Sequence, residues 1–330
     1  MMKIIVTGAG AVLGQGIIKS LRSATLPSHI VALDPNPLSA GLHWADSSHL
    51  IPMATDDDYE IRIEEILDRE RPDAVLVGTD VELAIFAKKR AEWEQRFKTH
   101  ILVSPENVIE IADDKYQTAQ FLELHNLSNP KSVKAEDADA LRQLVEEIGF
   151  PLIVKPRRGA RAVGVSKVNT QVELEETIRG RHDLVVQQMA GADDQEYTAG
   201  VLFFDDRVQA SIVLRRDLRD GNTYRAYSGD FPDYEKYVHE LAYALKPHGP
   251  TNFQFRVDAH GVPRLFEINA RFSGTTPMRA LFGFNEVELC LRKLILGEDI
   301  TPPVIQHGTV IRFLEEQFLG HDQIEAVGQS

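Results

Sequence analysis

The run "LFEINARFSG", residues 265–274, places an acid, an amide and a guanidinium at alternating positions behind two apolar residues. Alternate residues of a strand share a face, so Glu267, Asn269 and Arg271 are expected to point the same way. Upstream, "NFQFRVD" repeats the pattern with Asn252, Gln254 and Arg256, and His260-Gly261 offers a turn between the two runs. The spacing predicts a β-hairpin whose buried side carries Phe253, Phe255, Phe266 and Ile268. Its polar face suits Mg²⁺, a hard cation that takes one or two carboxylates together with substrate phosphates and water. Glu267 is the candidate carboxylate, and Gln254 and Asn269 are the candidate amide oxygens. Arg271 keeps its charge at any working pH, so it could clamp a terminal phosphate or a developing acyl phosphate but not act as a base. A solvated polar hairpin face is the plainer alternative.

Other stretches carry compatible chemistry. Lys155 ends the apolar strand "LIVKP", which puts an ammonium at a sheet edge. The loop "RRGARAVG" follows, with Gly159, Gly164, Arg157, Arg158 and Arg161. Such a loop can fold over phosphates with backbone donors and cations, although an exposed basic hairpin would read the same way. "LVVQQMAGADDQEYT" runs from a strand into a turn and on to Glu196, a hinge that can show backbone groups to a purine edge and a carboxylate to ribose hydroxyls. Arg215, Arg216, Arg219 and Arg225 could cover an acidic substrate or form a solvated edge. Asp80 and Glu82 in "GTDVEL" could bind an amine, with helix capping by Asp80 as the alternative.

The N-terminal "GAGAVLGQG" follows a strand, and Asp34 ends the next one, which invites a dinucleotide reading. The spacing is wrong: after Gly8 and Gly10 the third glycine belongs at 13, where Leu13 stands. A tight strand-to-helix turn that binds nothing explains the glycines as well.

These groups need elements to hold them. "KIIVTG", "HIVALD" and "DAVLVGTD" read as buried parallel strands, with "VLGQGIIKSLRSA" and "YEIRIEEILDRER" as helices between them, a doubly wound α/β unit. From about Pro105 the pattern becomes α+β. "DDKYQTAQFLELHNL" and "ADALRQLVEEIGF" read as helices, then come strand "PLIVKP", helix "QVELEETIRG" and strand "DLVVQQM". The run "EYTAGVLFFDDRVQASIVLRR", the hairpin and a closing strand-like "GTVIRFLEE" complete it. The 330 residues allow two or three domains, and 43% hydrophobic with 26% charged residues is ordinary for a globular chain. A formal net charge of −14 argues against a protein that tracks nucleic-acid phosphates. No signal peptide or membrane span is expected, since no apolar run approaches the roughly 20 residues required. The single cysteine, Cys290, lies in an apolar helix-like run and reads as buried, which agrees with a reducing cytoplasm.

The ordered set "DKYQTAQFL", "IVKPRRGARAVGV", "VVQQM…EYT" and "GPTNFQFRV…GVPRLFEINARFSG" resembles the ATP-grasp superfamily, in particular single-module relatives of the carbamoyl-phosphate synthetase large subunit. The resemblance covers residues 105 to 300, and "VTGAGAVLGQG" with "GTDVELAIFA" resembles the family's Rossmann-like pre-ATP-grasp domain, which holds no NAD. It implies a pre-ATP-grasp domain at 1–105, a lid-containing subdomain at 106–189 and a C-terminal subdomain at 190–330 with the Mg-binding hairpin. It also implies ATP with Mg²⁺ or Mn²⁺ as cofactors. Lys115 and Lys155 would contact phosphates, and Gly159, Arg161 and Gly164 would belong to the lid loop. Gln188, Met189 and Ala190 would line adenine, and Glu196 would hold the ribose. Gln254, Glu267 and Asn269 would ligate the metal, with Arg271 and Lys155 catalytic. Departures are Ala162 in the lid, Gln188 at the hinge where Glu is common, and the inserted "AGADDQ". The implied activity is a carboxylate–amine ligase working through an acyl phosphate on small-molecule substrates, with a homodimer left open. A phosphorylating module, a nicotinamide-dependent reductase and a non-catalytic nucleotide-binding subunit are the alternatives.

Overall fold

The computed structural model describes residues 1–159 and 163–327. Five strands, β1 (Met2–Val6), β2 (Ser28–Asp34), β3 (Ser47–Leu50), β4 (Ala74–Leu76) and β5 (His100–Leu102), form a parallel sheet in the order β3-β2-β1-β4-β5. Their central residues are wholly buried, as expected of strands covered on both faces by helices. The helix Val12–Arg22 follows β1, Tyr59–Glu70 precedes β4, and Asp80–Phe97 follows it. The polar β3 and the three-residue β5 are too short to carry a periodicity of their own and escaped the sequence pattern.

A second, four-stranded antiparallel sheet runs β6-β9-β7-β8, from β6 (Ser132–Lys134), β7 (Leu152–Pro156), β8 (Ser166–Val168) and β9 (Leu184–Gln188). It has its own small core of Leu144, Leu152, Val154, Val168, Leu174, Leu184 and Val186. The helix Lys115–Leu124 leads toward it, and Asp114 caps that helix by accepting from the Tyr116 and Gln117 amides.

The third sheet has six antiparallel strands in the order β14-β13-β10-β11-β12-β15. They are β10 (Glu196–Phe204), β11 (Arg207–Arg219), β12 (Asn222–Ser228), β13 (Gly249–Val257), β14 (Pro263–Asn269) and β15 (Thr309–Ile311). One face packs on the helix Pro232–Leu245, where Tyr197 stacks on Phe255 with centroids 5.3 Å apart. Cys290 is buried and its thiol is pushed up by desolvation. The closing strand is shorter than expected: "GTVIRFLEE" contributes only Thr309–Ile311, and Phe313 and Leu314 stand exposed beyond it.

The expected hairpin is present, with one change. Gln254 pairs with Glu267 but Phe255 pairs with Leu265, a bulge that leaves Phe266 as an extra residue on β14. Strict alternation placed Phe266 on the buried side. The bulge shifts the face, so Leu265 and Ile268 are buried and Phe266 is half-buried with Lys155 Nζ 5.6 Å from its ring centroid.

Candidate active site

A continuous polar row crosses the face of the third sheet opposite the helix Pro232–Leu245. Glu196 opens β10, is 3% exposed, and takes Arg216 on one oxygen at 2.6 Å and Arg256 on the other at 2.7 Å. Arg216 also donates to Gln254 Oε1 at 2.5 Å. Gln254 Nε2 donates to Glu267 Oε1 at 3.3 Å, and Asn269 Nδ2 donates to the same oxygen at 2.9 Å. Asn269 Oδ1 accepts from Arg271 Nη2 at 2.8 Å. Arg271 lies two residues past the end of β14 and meets Asp80, with Nε to Oδ1 at 2.6 Å and Nη2 to Oδ2 at 2.9 Å. The structure therefore brings Gln254, Glu267, Asn269 and Arg271 together, with Glu196 at the far end of the row.

Lys155 approaches from the second sheet. It is 5% exposed, and its Nζ donates to Gln187 Oε1 at 2.8 Å and reaches the Phe266 carbonyl at 3.5 Å. Burial lowers its pKa to about 7; Glu267 opposes that shift, while Lys115 and Arg256 add to it. Gln187 in turn donates to Ser132 Oγ. The sequence reading singled out Gln188 and passed over Gln187, although both follow from a strand whose alternate residues face opposite ways. Gln188 bonds the Lys131 backbone instead, and Met189 and Ala190 continue out of β9. The next residue, Gly191, has φ +54°, and a Cβ there would lie 2.3 Å from the Val257 carbonyl oxygen. The hinge is thus pinned to the end of β13.

Lys115 Nζ donates to the Gly159 carbonyl at 2.7 Å. The described cations at the root of the loop are already partnered. Arg157 forks onto Asp114, which holds that carboxyl below its usual range against the cost of burial, and Arg158 meets Asp113 at 3.0 Å. Gly159 and Gly164 both have positive φ, +119° and +75°. Arg161 lies outside the described residues.

Several expectations are revised. Asp34 accepts from the Gly10 amide, the Asn36 amide and Ser39 Oγ, so the acid offered for a ribose is consumed by its own turn. A Cβ at Gly8 would sit 2.2 Å from Thr79 Cγ2, and one at Gly14 2.2 Å from the Gly8 carbonyl oxygen. These glycines serve close packing of chain on chain, against the reductase alternative. Asp80 does not cap its helix, because its carboxylate is turned to Arg271. Glu82 is 3% exposed and accepts from Thr7, Tyr59 and Thr79 hydroxyls, so it is not presented to an amine; burial raises its pKa. The four arginines do not act as one patch: Arg216 enters the polar row, whereas Arg215 and Arg225 pair with Asp217 and Arg219 lies over Tyr224. Arg216 is the site residue that sequence gave no reason to prefer over its neighbours.

Among the described residues no group of three or more His, Cys, Asp or Glu could hold a metal. Gln254, Glu267 and Asn269 supply one carboxylate and two amides, whose oxygens each already accept from a guanidinium. That set fits a divalent cation arriving with nucleotide phosphates, not one caged by protein alone.

Residues 4–101 match the family described as "PylC-like, N-terminal domain", 117–243 the "D-ala D-ala ligase C-terminus", and 181–317 "ATP-grasp in the biosynthetic pathway with Ter operon". The chain thus carries a match to an ATP-grasp family over residues 181–317. It is 24% identical over 303 residues to the carbamoyl phosphate synthase large chain of Thermoanaerobacter pseudethanolicus, covering 84% of itself but 27% of that protein. It thus spans little more than a quarter of the length of that relative. Its fold is shared with the biotin carboxylase domain of Hydrogenobacter thermophilus 2-oxoglutarate carboxylase, determined with MgADP and bicarbonate. That match has a TM-score of 0.71 and 18% identity, covering 94% of this chain and 74% of the other. An L-amino acid ligase from Bacillus licheniformis matches with a TM-score of 0.67 and 19% identity, over 89% and 74% of the two chains.

Proposed function

We propose that this chain is an ATP-dependent carboxylate–amine ligase. A substrate carboxylate oxygen attacks the γ-phosphorus of ATP, the bond to the ADP oxygen breaks, and an acyl phosphate forms. An amine then attacks the acyl carbon and loses a proton, phosphate leaves, and an amide or peptide bond results. The observation that carries this reading is the row Gln254–Glu267–Asn269–Arg271 facing the buried Lys155 across two sheets.

Lys155 and Lys115 would bind phosphates, Gln188 to Ala190 would line the base, and Glu196 would accept from the ribose once Arg216 or Arg256 yields an oxygen. Gln254, Glu267 and Asn269 would hold Mg²⁺, which in this setting neutralises the charge of the transferring phosphoryl group. Arg271, beside Asn269, is placed to stabilise the acyl phosphate oxyanions. Among the described residues no helix is long and apolar enough to cross a membrane, in keeping with a cytoplasmic enzyme acting on small molecules.

Trapping with hydroxylamine tests this reading without knowledge of the natural amine. Pools of amino acids and other carboxylates, incubated with the chain, MgATP and hydroxylamine, should give a hydroxamate together with ADP. Absence of both products from every pool refutes the ligase reading. The likeness to carbamoyl phosphate synthase and to a domain determined with bicarbonate favours a second reading, a module that stops at a carboxyl or carbamoyl phosphate. That module would release ADP at the same rate with or without an amine.

A further inference from the structure

We propose that Asp80, in the parallel-sheet region, is the positioning residue for Arg271, so that the oxyanion clamp of the ligase site is set from outside the ATP-grasp sheets. The proposal deepens the ligase reading and rests on it. A guanidinium has five N–H donors. In Arg271 the Nε–H and one Nη2–H go to the two Asp80 oxygens, the other Nη2–H goes to Asn269 Oδ1, and Nη1 donates to the Phe272 carbonyl at 2.9 Å. Four of the five are committed, and one Nη1–H is left to meet a substrate oxygen. The side chain is 9% exposed, so no other orientation is offered by solvent.

Asp80 is itself held in place. It is the first residue of the helix Asp80–Phe97, behind Thr79, and that turn is tied to its surroundings by a buried cluster. Thr79 Oγ1, Thr7 Oγ1 and Tyr59 OH all donate to Glu82, and the Gly78 amide donates to Thr7 Oγ1. A Cβ at Gly78 would lie 2.0 Å from the Thr7 carbonyl oxygen, so the turn sits as close to β1 as a backbone can. The planar fork of Arg271 is thereby docked on a carboxylate that leaves a fixed turn, which sets the direction of its remaining N–H. A lysine could not copy this geometry.

The test uses the full chain with Asp80→Asn, Arg271→Met and the double variant. The reaction followed is ATP formation from acetyl phosphate and MgADP, in which the phosphoryl group passes from the acyl oxygen to ADP and acetate leaves. Asp80→Asn is expected to lower kcat about 10- to 100-fold while MgADP binding stays within about twofold, because orientation is lost and nucleotide contacts are not. In the Arg271→Met background, adding Asp80→Asn should change nothing further. An equal loss in both backgrounds, or a parallel loss of MgADP affinity, overturns the proposal. The Nε–H resonance of ¹⁵N-labelled Arg271 supplies a readout independent of turnover. It should be protected from exchange in the parent chain and lost in Asp80→Asn, with Asp80→Glu restoring part of it; an unchanged signal in Asp80→Asn overturns the contact. A parent chain that binds no MgADP refutes the ligase reading, and the resonance then decides the Asp80 contact by itself.

Discussion

Nucleotide binding should draw a proton onto Lys155. Its ammonium is buried, with Gln187 Oε1 and the Phe266 carbonyl as acceptors, and desolvation brings the pKa down to about 7 even though Glu267 pulls the other way. At pH 8 the free protein therefore carries that proton in roughly one molecule in ten. Phosphates placed beside the amine favour the charged form and restore the pKa toward the ordinary lysine range. Binding should then take up about 0.9 proton per nucleotide at pH 8, about 0.5 at pH 7 and about 0.1 at pH 6. The same linkage has a sign for stability. A lysine whose folded pKa is depressed costs stability in full below pH 7, and the cost is relieved as pH climbs toward the unfolded value. About 5 kcal/mol separates these limits, so Lys155→Met should stabilise the free chain more at pH 6 than at pH 10. Calorimetric titration of MgADP in phosphate and in Tris, whose ionisation enthalpies differ, reads the uptake directly. Equal apparent enthalpies at pH 8, or the same buffer dependence in Lys155→Met, would refute the assignment.

Glu267→Ala removes the only carboxylate of the proposed metal set, so turnover should vanish and nucleotide affinity should no longer respond to Mg²⁺; titrations with and without the cation check this. A Cβ at Gly200 would lie 2.6 Å from Arg279 Nη1, inside the buried Arg279–Glu286 pair. Gly200→Ala should therefore destabilise the chain by about 3 kcal/mol or more, seen as a shifted denaturation midpoint; a midpoint unchanged from the parent means the pair yields freely. Burial raises the Glu82 pKa, so the unfolded chain ionises this group first and stability should fall as pH climbs above the ordinary glutamate range. Glu82→Gln should flatten that fall, and urea midpoints at pH 5 and pH 9 that differ equally in both chains would contradict it.

Periodicity and turn chemistry carried most of the fold. Buried runs such as "KIIVTG" and "LVVQQ" announce strands because most of their residues are buried, and Asp114 announces a helix start because its carboxylate meets free amides. β12 was missed for the opposite reason: "NTYRAYS" is a polar strand, defined only by its partners β11 and β15. In the site, alternation sufficed to gather Gln254, Glu267 and Asn269, since a strand's faces follow from its own residues. It failed at Phe266, where a bulge set by pairing with β13 moved the face by one residue. The partners of each charge were beyond sequence altogether. Four arginines in one stretch look alike until the sheet sends Arg216 alone between Glu196 and Gln254. Asp80 and Arg271 lie 191 residues apart, and their fork exists only because two sheets pack with that helix turn beside that strand end. Local sequence decides which way a side chain leaves its own strand or helix; what waits for it there depends on how the other elements pack, and that is settled only in the folded chain.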